Sequence, residues 1–503
     1  MIDPGAPRRS TWWAFFAMLL IALLAWTGAT PLMSAPDEGA HAIWAASVAR
    51  GQISGPSKQL ILENWVVRVP KNFADSGQAD CFNRFPFANQ NGPPQSRTPS
   101  CAPRFEDSDR LVDALTYQFR GVPHQYALLG LPSLPFPNRT GMYLMRAINA
   151  MACSALLASA CTAAVHRPRR RLAIVGVLAA STPMVFYLGG TINPNGIEIA
   201  AAIALWSTLI PLALNDSSEP DHRLVVRAGL ALSVLVAIRG LGPGFALLAI
   251  AVCAVLASRE RLLDLIRRRD VRVWAIVAAL STAITAAWIL RVGVANEDPY
   301  RTVGLVRALE FLPKMWRQTV GLFGATYMPL PRVVPIGWGA IVAVAIVLAL
   351  VVVKGRQRFV LAITTLGAIA LPVMADGFGL PRIGFEWQGR YGLPLTVGAV
   401  MLAFALPETR RRISPWAGAI PCGLLLTGQV VAFLAIGRTL GMGGAHGANI
   451  LDYIIRPRWQ PDVDSGVLLI LMVLAVLGLA ALIIPMLARP PNSELEHPGL
   501  ASS

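Results

Sequence analysis

The chain has 503 residues, of which 54% are apolar and 14% charged, against about 25% charged in an ordinary soluble domain. Apolar runs close to the length of a membrane span recur from residue 11 to residue 488, and with about 20 residues per span this excludes a soluble multidomain enzyme. The net charge of +16, from 44 Lys and Arg against 28 Asp and Glu, would suggest nucleic acid in a soluble protein. Here the basic residues lie in short clusters between apolar runs, with no interleaved aromatics for base stacking. The expected partner is therefore a lipid bilayer, with no nucleic acid.

In chain order, spans are expected near 11–30, 141–165, 172–190, 196–214, 226–239, 242–258, 273–293, 335–353, 359–375, 392–407, 415–436 and 466–488. The fold class expected is an all-α polytopic membrane protein of about 12 transmembrane helices. The clusters Arg8-Arg9, Arg167 with Arg169 to Arg171, the six arginines of Arg259 to Arg272, Lys354 with Arg356 and Arg358, and Arg410 to Arg412 all fall on one side. By the positive-inside rule that side is cytoplasmic, as are both termini. The first apolar run is longer than the 7–15 residues of a signal peptide, so it is read as a helix despite a passable cleavage site at Met33-Ser34-Ala35. Residues 1–490 make one transmembrane domain, 31–140 an extracytoplasmic loop subdomain within it, and 491–503 a disordered cytoplasmic tail.

The outward loops 31–140, 294–334, 376–391 and 437–465 are long, whereas the inward ones are short and basic. Long loops usually carry function, so the site is expected on the outer face. Cys153, Cys161, Cys253 and Cys422 lie in apolar spans and read as small hydrophobes. Cys81 and Cys101 share the first outward loop. An oxidising exterior permits them to pair, which would contribute about 3 kcal/mol by loop closure; the alternative is two free thiols.

Directly after the first span, residues 34–51 carry the signals of one short helix: Ser34 as N-cap, an early Pro36, Asp37 and Glu38 in the first turn, then Arg50 and Gly51 as the stop. Ile43, Trp44 and Val48 form an apolar stripe, placing the helix along the outer membrane surface. The acids could simply complement the helix dipole. That role would not need His41, which shares their face by spacing. Further polar groups stand at outer ends of spans: Tyr143, Arg146 and Asn149 on one stripe; Asn193, Asn195 and Glu198 around a turn; Arg239; and Glu386, Gln388, Arg390 and Tyr391. Asn193-Pro194-Asn195-Gly196 also reads as an ordinary turn, and the arginines could reach lipid phosphates. Acids on one element and arginines on others at one depth suggest a shared cleft, with arginine suited to phosphate or pyrophosphate.

Pro36-Asp37-Glu38…His41, Tyr143…Arg146…Asn149, Asn193-Pro194-Asn195…Glu198, Gln318 to Gly324 and Gln388-Gly389-Arg390-Tyr391 resemble, over roughly residues 10–490, domain-of-unknown-function family 2142 of bacterial membrane proteins. That family in turn looks like a branch of the GT-C glycosyltransferases. The resemblance implies a bacterial plasma membrane enzyme that takes sugar from a polyprenyl-phosphate carrier and passes it, with inversion, to a cell-envelope glycan or lipid acceptor. It also implies a catalytic acid in the first extracytoplasmic loop, where Asp37 and Glu38 stand. GT-C members often show spaced acids, whereas these are adjacent and cannot both point at one atom from a regular helix. Asp37 is assigned as base with Glu38 second, and Arg390, aided by Arg146 or Arg239, as the phosphate ligand. Tyr391 and Gln388 would orient the donor, and Tyr143, Asn193, Asn195 and Glu198 would line the substrate. His41 either orients Asp37 or joins it on a divalent metal; no further cofactor is implied. The rival readings are a transporter or flippase of lipid-linked glycans and a polysaccharide polymerase or ligase.

Overall fold

The computed structural model describes residues 8–53, 58–59, 64–78, 98–102, 105, 108–167, 169–293, 304–324, 328–378, 387–408, 414, 416–443 and 450–488. Among these, eight helices are long and apolar enough to cross a membrane: Ser10–Ala29, Arg139–Val165, Pro194–Leu214, Arg269–Val292, Val333–Val352, Gly355–Phe378, Trp416–Met442 and Ser465–Ala488. The fold class is thus the expected one, all-α and polytopic. The other four expected spans are shorter, broken or more polar. Gly242–Leu256 and Gly389–Ala405 are short apolar helices, and Asp221–Ile238 starts with charged residues. The run at 172–190 is two helices, Ala173–Ala180 and Pro183–Gly189. Thr182 is held extended before Pro183, whose nitrogen cannot donate to the preceding turn.

Pro194–Leu214 lies at the centre, buried along almost its whole length. Its run Ala200-Ala201-Ala202 keeps the side chains small where Arg139–Val165 and Asp221–Ile238 close in. The outer helices do the reverse: Val273, Ile276, Leu280 and Ile284 of Arg269–Val292 are all exposed. An apolar exposed stripe of that kind is stable where the solvent is hydrocarbon.

The described part of the segment between the first two spans carries regular structure. It builds an antiparallel sheet of β1 (Lys58–Gln59), β2 (Asn64–Pro70) and β3 (Leu111–Thr116), in the order β1-β2-β3. In β2 the pleat sends Trp65, Val67 and Val69 inward and Arg68 outward. These side chains, with Phe73, Phe119, Tyr126 and the helix Glu38–Ala49, form a second hydrophobic core. The helix Glu38–Ala49 therefore does not lie on a membrane surface: residues 41–48 are all buried. A narrow apolar stripe understated it because Ala42, Ala45 and Ala46 also pack inward.

Cys153, Cys161, Cys253 and Cys422 are free and buried, as expected. Cys101 is disulfide-bonded; Cys81 lies outside the described residues, as do Glu386, Arg410 to Arg412 and the tail 491–503. At the end of the bundle away from the sheet, some of the clustered arginines form ion pairs: Arg167 reaches Asp216 at 2.6 Å and Arg261 reaches Asp221 at 2.8 Å.

Candidate functional site

The helix after the first span starts later than the sequence suggests. Ser34 is not its N-cap; the Ser34 hydroxyl donates to the Pro31 carbonyl at 2.7 Å within the preceding turn. Asp37 occupies the cap position with φ 61°, in the left-handed region, and its side chain makes no capping bond. Asp is among the few non-glycine residues that tolerate this conformation. The far end is as read: Arg50 caps it and Gly51, at φ 77°, ends it.

Freed from capping, the Asp37 carboxylate turns into a cleft. Its Oδ2 accepts from Arg390 Nη2 at 2.8 Å and its Oδ1 from the Tyr117 hydroxyl at 2.9 Å. The side chain is 27% exposed, while that of Arg390 is 7% exposed, so the acid is open to solvent whereas the guanidinium lies beneath. Burial works to raise the Asp37 carboxyl, but Arg390, the Tyr117 bond and Arg239 outweigh it and hold it below its ordinary range. Burial, then the charge of Asp37, pushes the Tyr117 phenol up, so that it remains a donor.

Arg390 is aimed by its helix start. The Gly389 N–H donates to Gln318 Oε1 at 2.8 Å, and a Cβ on Gly389 would strike the Met315 carbonyl. Gln388 stands at the N-cap without a capping bond, because Gln318 supplies it from another helix. Arg390 also donates to the Tyr391 hydroxyl at 3.0 Å, and its Nε–H is buried with no partner among the described residues. The guanidinium of Arg390 lies 5.0 Å from the Tyr391 ring centre and that of Arg239 lies 5.2 Å from it. Arg239, at the end of Asp221–Ile238, donates to Asn195 Oδ1 and to Glu198 Oε2, the latter at 3.0 Å. Asp37, Arg390, Tyr391, Arg239, Asn195 and Glu198 thus meet around one ring.

Glu38 and Arg146 do not join them. Arg146 Nε and Nη2 grip the two Glu38 oxygens, each at 2.7 Å. Its remaining N–H groups go to the carbonyls of Thr27 at 2.9 Å, Thr30 at 2.6 Å and Pro31 at 2.7 Å. Every donor of Arg146 is therefore used within the protein, and both side chains are fully buried. Glu38 also accepts the Ile192 N–H at 2.9 Å. The pair is a clamp fastening the exit of the first helix to the Asp37 corner, and leaves neither a spare base nor a spare phosphate ligand. Asn193 belongs to the same clamp, its amide donating to the Pro36 carbonyl at 2.8 Å while its oxygen caps Asn195. The stripe on Arg139–Val165 splits three ways. Asn149 holds the Gly189 carbonyl at 3.0 Å, whereas the Tyr143 hydroxyl goes to Asp462 at 2.9 Å.

His41 Nδ1 lies 2.7 Å from the Tyr126 hydroxyl, and the two rings stack. Burial pushes the His41 imidazole down to about 3 against the pull of Asp37, keeping it neutral at ordinary pH. Among the described residues, no three His, Cys, Asp or Glu side chains gather as metal ligands. Tyr117, Tyr126 and the capping role of Gln318 have no signal in the sequence: each depends on a contact across more than 70 residues.

The family of predicted membrane proteins DUF2142 matches residues 20–399, more than half of the chain, and the protein belongs to it. No curated protein and no solved structure matches.

Proposed function

We propose that this DUF2142 protein is a membrane glycosyltransferase, moving a sugar from a polyprenyl-phosphate donor to a cell-envelope glycan or lipid acceptor on the extracytoplasmic face of a bacterial plasma membrane. The observation that carries the reading is the meeting of Asp37 and Arg390, 353 positions apart, at 2.8 Å in a partly open cleft. A carboxylate and a buried guanidinium at one point supply the two things transfer from a lipid phosphate needs. One is a base for the acceptor hydroxyl, the other a fixed positive charge where the phosphate leaves.

In the resting protein these groups satisfy each other, and the paired carboxylate is a weak base. A donor phosphate competes for Arg390, whose Nε–H has no partner among the described residues; Arg239, across the Tyr391 ring, adds charge to the same cleft. Losing Arg390 raises the basicity of Asp37. Asp37 then takes the acceptor proton as the acceptor oxygen bonds to the anomeric carbon. The carbon–oxygen bond to phosphate breaks on the opposite side, and polyprenyl phosphate leaves with the electron pair. A single displacement inverts the centre. His41 and Tyr126 position the corner. Glu38 and Arg146 hold the corner without touching substrate.

The test is release of free polyprenyl phosphate from a lipid-linked sugar by purified protein. Asp37→Asn keeps the shape, the backbone tolerance and the Tyr117 bond, and is expected to reduce release at least a hundredfold with normal folding. Arg390→Lys is expected to fail as well, since lysine lacks the planar fork. Full release by Asp37→Asn would overturn the assignment.

A further inference from the structure

At the end of the bundle opposite the Asp37 cleft, the helices Arg259–Arg267 and Arg269–Val292 meet at a corner beside an open cavity of about 600 Å³ lined by Arg268, Arg269, Asp270, Val273 and Trp274. The two ends are distinct: Trp288 and Val292, at the far end of the second helix, lie in the core beneath the sheet, with Trp288 6.3 Å from Trp44. We propose that this corner is a binding site for an anionic glycerophospholipid of the opposite leaflet.

Three observations point to that ligand. Arg268 is already matched, by a fork to Asp270 at 2.8 and 3.1 Å and by Asp221 at 3.5 Å. Arg269, in the lining of the cavity, and Arg272, one turn further along the same helix, are exposed and make no ion pair among the described residues, which leaves positive charge beside the cavity. Below them the wall turns apolar at Val273 and continues through Ile276, Leu280 and Ile284, all at least half exposed, as a track for an acyl chain. The helix Arg259–Arg267 has no buried residue and exposes Leu263 and Ile266 beside its arginines, the pattern of a helix lying in a headgroup layer. Setting the topology requires only charge in a loop. A cavity with arginines at its rim and an apolar floor running along a span fits a molecule with a phosphate at one end and a chain at the other.

The experiment measures lipid retained by the purified full-length protein, by native mass spectrometry after exchange into equal amounts of phosphatidylglycerol and phosphatidylcholine. The wild type is expected to retain phosphatidylglycerol preferentially. The double substitution Arg269→Glu with Arg272→Glu is expected to reduce that preference about thirtyfold, whereas Lys354→Glu, an exposed cation elsewhere on the same face, leaves it intact. Val273→Trp narrows the cavity at the start of the apolar track without altering charge and is expected to weaken lipid retention too; it carries the test if the double variant does not fold. Soluble glycerol phosphate is expected not to compete, because it lacks the chain. Equal retention of the two lipids by the wild type would overturn the proposal. So would equal losses on Arg269/Arg272 and Lys354 reversal, retention unaffected by Val273→Trp, or full competition by glycerol phosphate.

Discussion

Removing one member of the Glu38–Arg146 pair should show most clearly that it is a clamp. In Arg146→Met the guanidinium and its five hydrogen bonds are lost. Glu38, with no exposed surface, keeps only the N–H groups of Ile192 and Ala35. An uncompensated buried charge of this kind costs about 3–5 kcal/mol. Glu38→Leu leaves the opposite charge stranded, facing three carbonyls, and should cost about as much. The double substitution removes both charges, and the carbonyls and N–H groups it leaves unpaired are already unpaired in one or the other single, so their cost cancels in the cycle and the stranded-charge cost does not. The double variant should therefore be less destabilising than the two singles added, by at least about 2 kcal/mol. Equilibrium unfolding in mixed micelles of increasing dodecyl sulfate content, run on the four proteins of the cycle, measures this. Additive singles, or either single within about 1 kcal/mol of wild type, would refute the clamp.

His41 gives a pH signature. Its folded pKa of about 3 lies below the unfolded value of about 6.5, so between them the unfolded chain binds the extra proton and acid favours unfolding. The loss begins as pH falls through about 6.5 and reaches about 2 kcal/mol at pH 5. His41→Gln should flatten the wild-type difference between pH 7 and pH 5 in the same unfolding assay. Gly389→Ala should drive a methyl into the Met315 carbonyl, displacing the start of the Arg390 helix. A loss of about 1–3 kcal/mol, accompanied by loss of polyprenyl-phosphate release, is the expected result; unchanged stability would mean that the close approach is not required.

Much of this protein is written in its composition and periodicity. Long apolar runs between arginine clusters can only be helices in hydrocarbon, since every backbone polar group there must be satisfied within its own segment. Gly51 as a helix stop is local chemistry, and is where the chain places it. The strand Asn64–Pro70 was not among the expectations, because it exists only through its pairing with β3 across the intervening loop.

Side-chain spacing placed Asp37, Glu38 and His41 on one face, yet each goes its own way. The left-handed backbone at Asp37 rotates that carboxylate toward Arg390, leaving Glu38 to Arg146 and His41 to Tyr126. Sequence alone determined which residue types stand at the ends of the spans. The tertiary structure decided which arginine faces which acid, because a charge removed from water must find its partner wherever the packed helices bring one within reach.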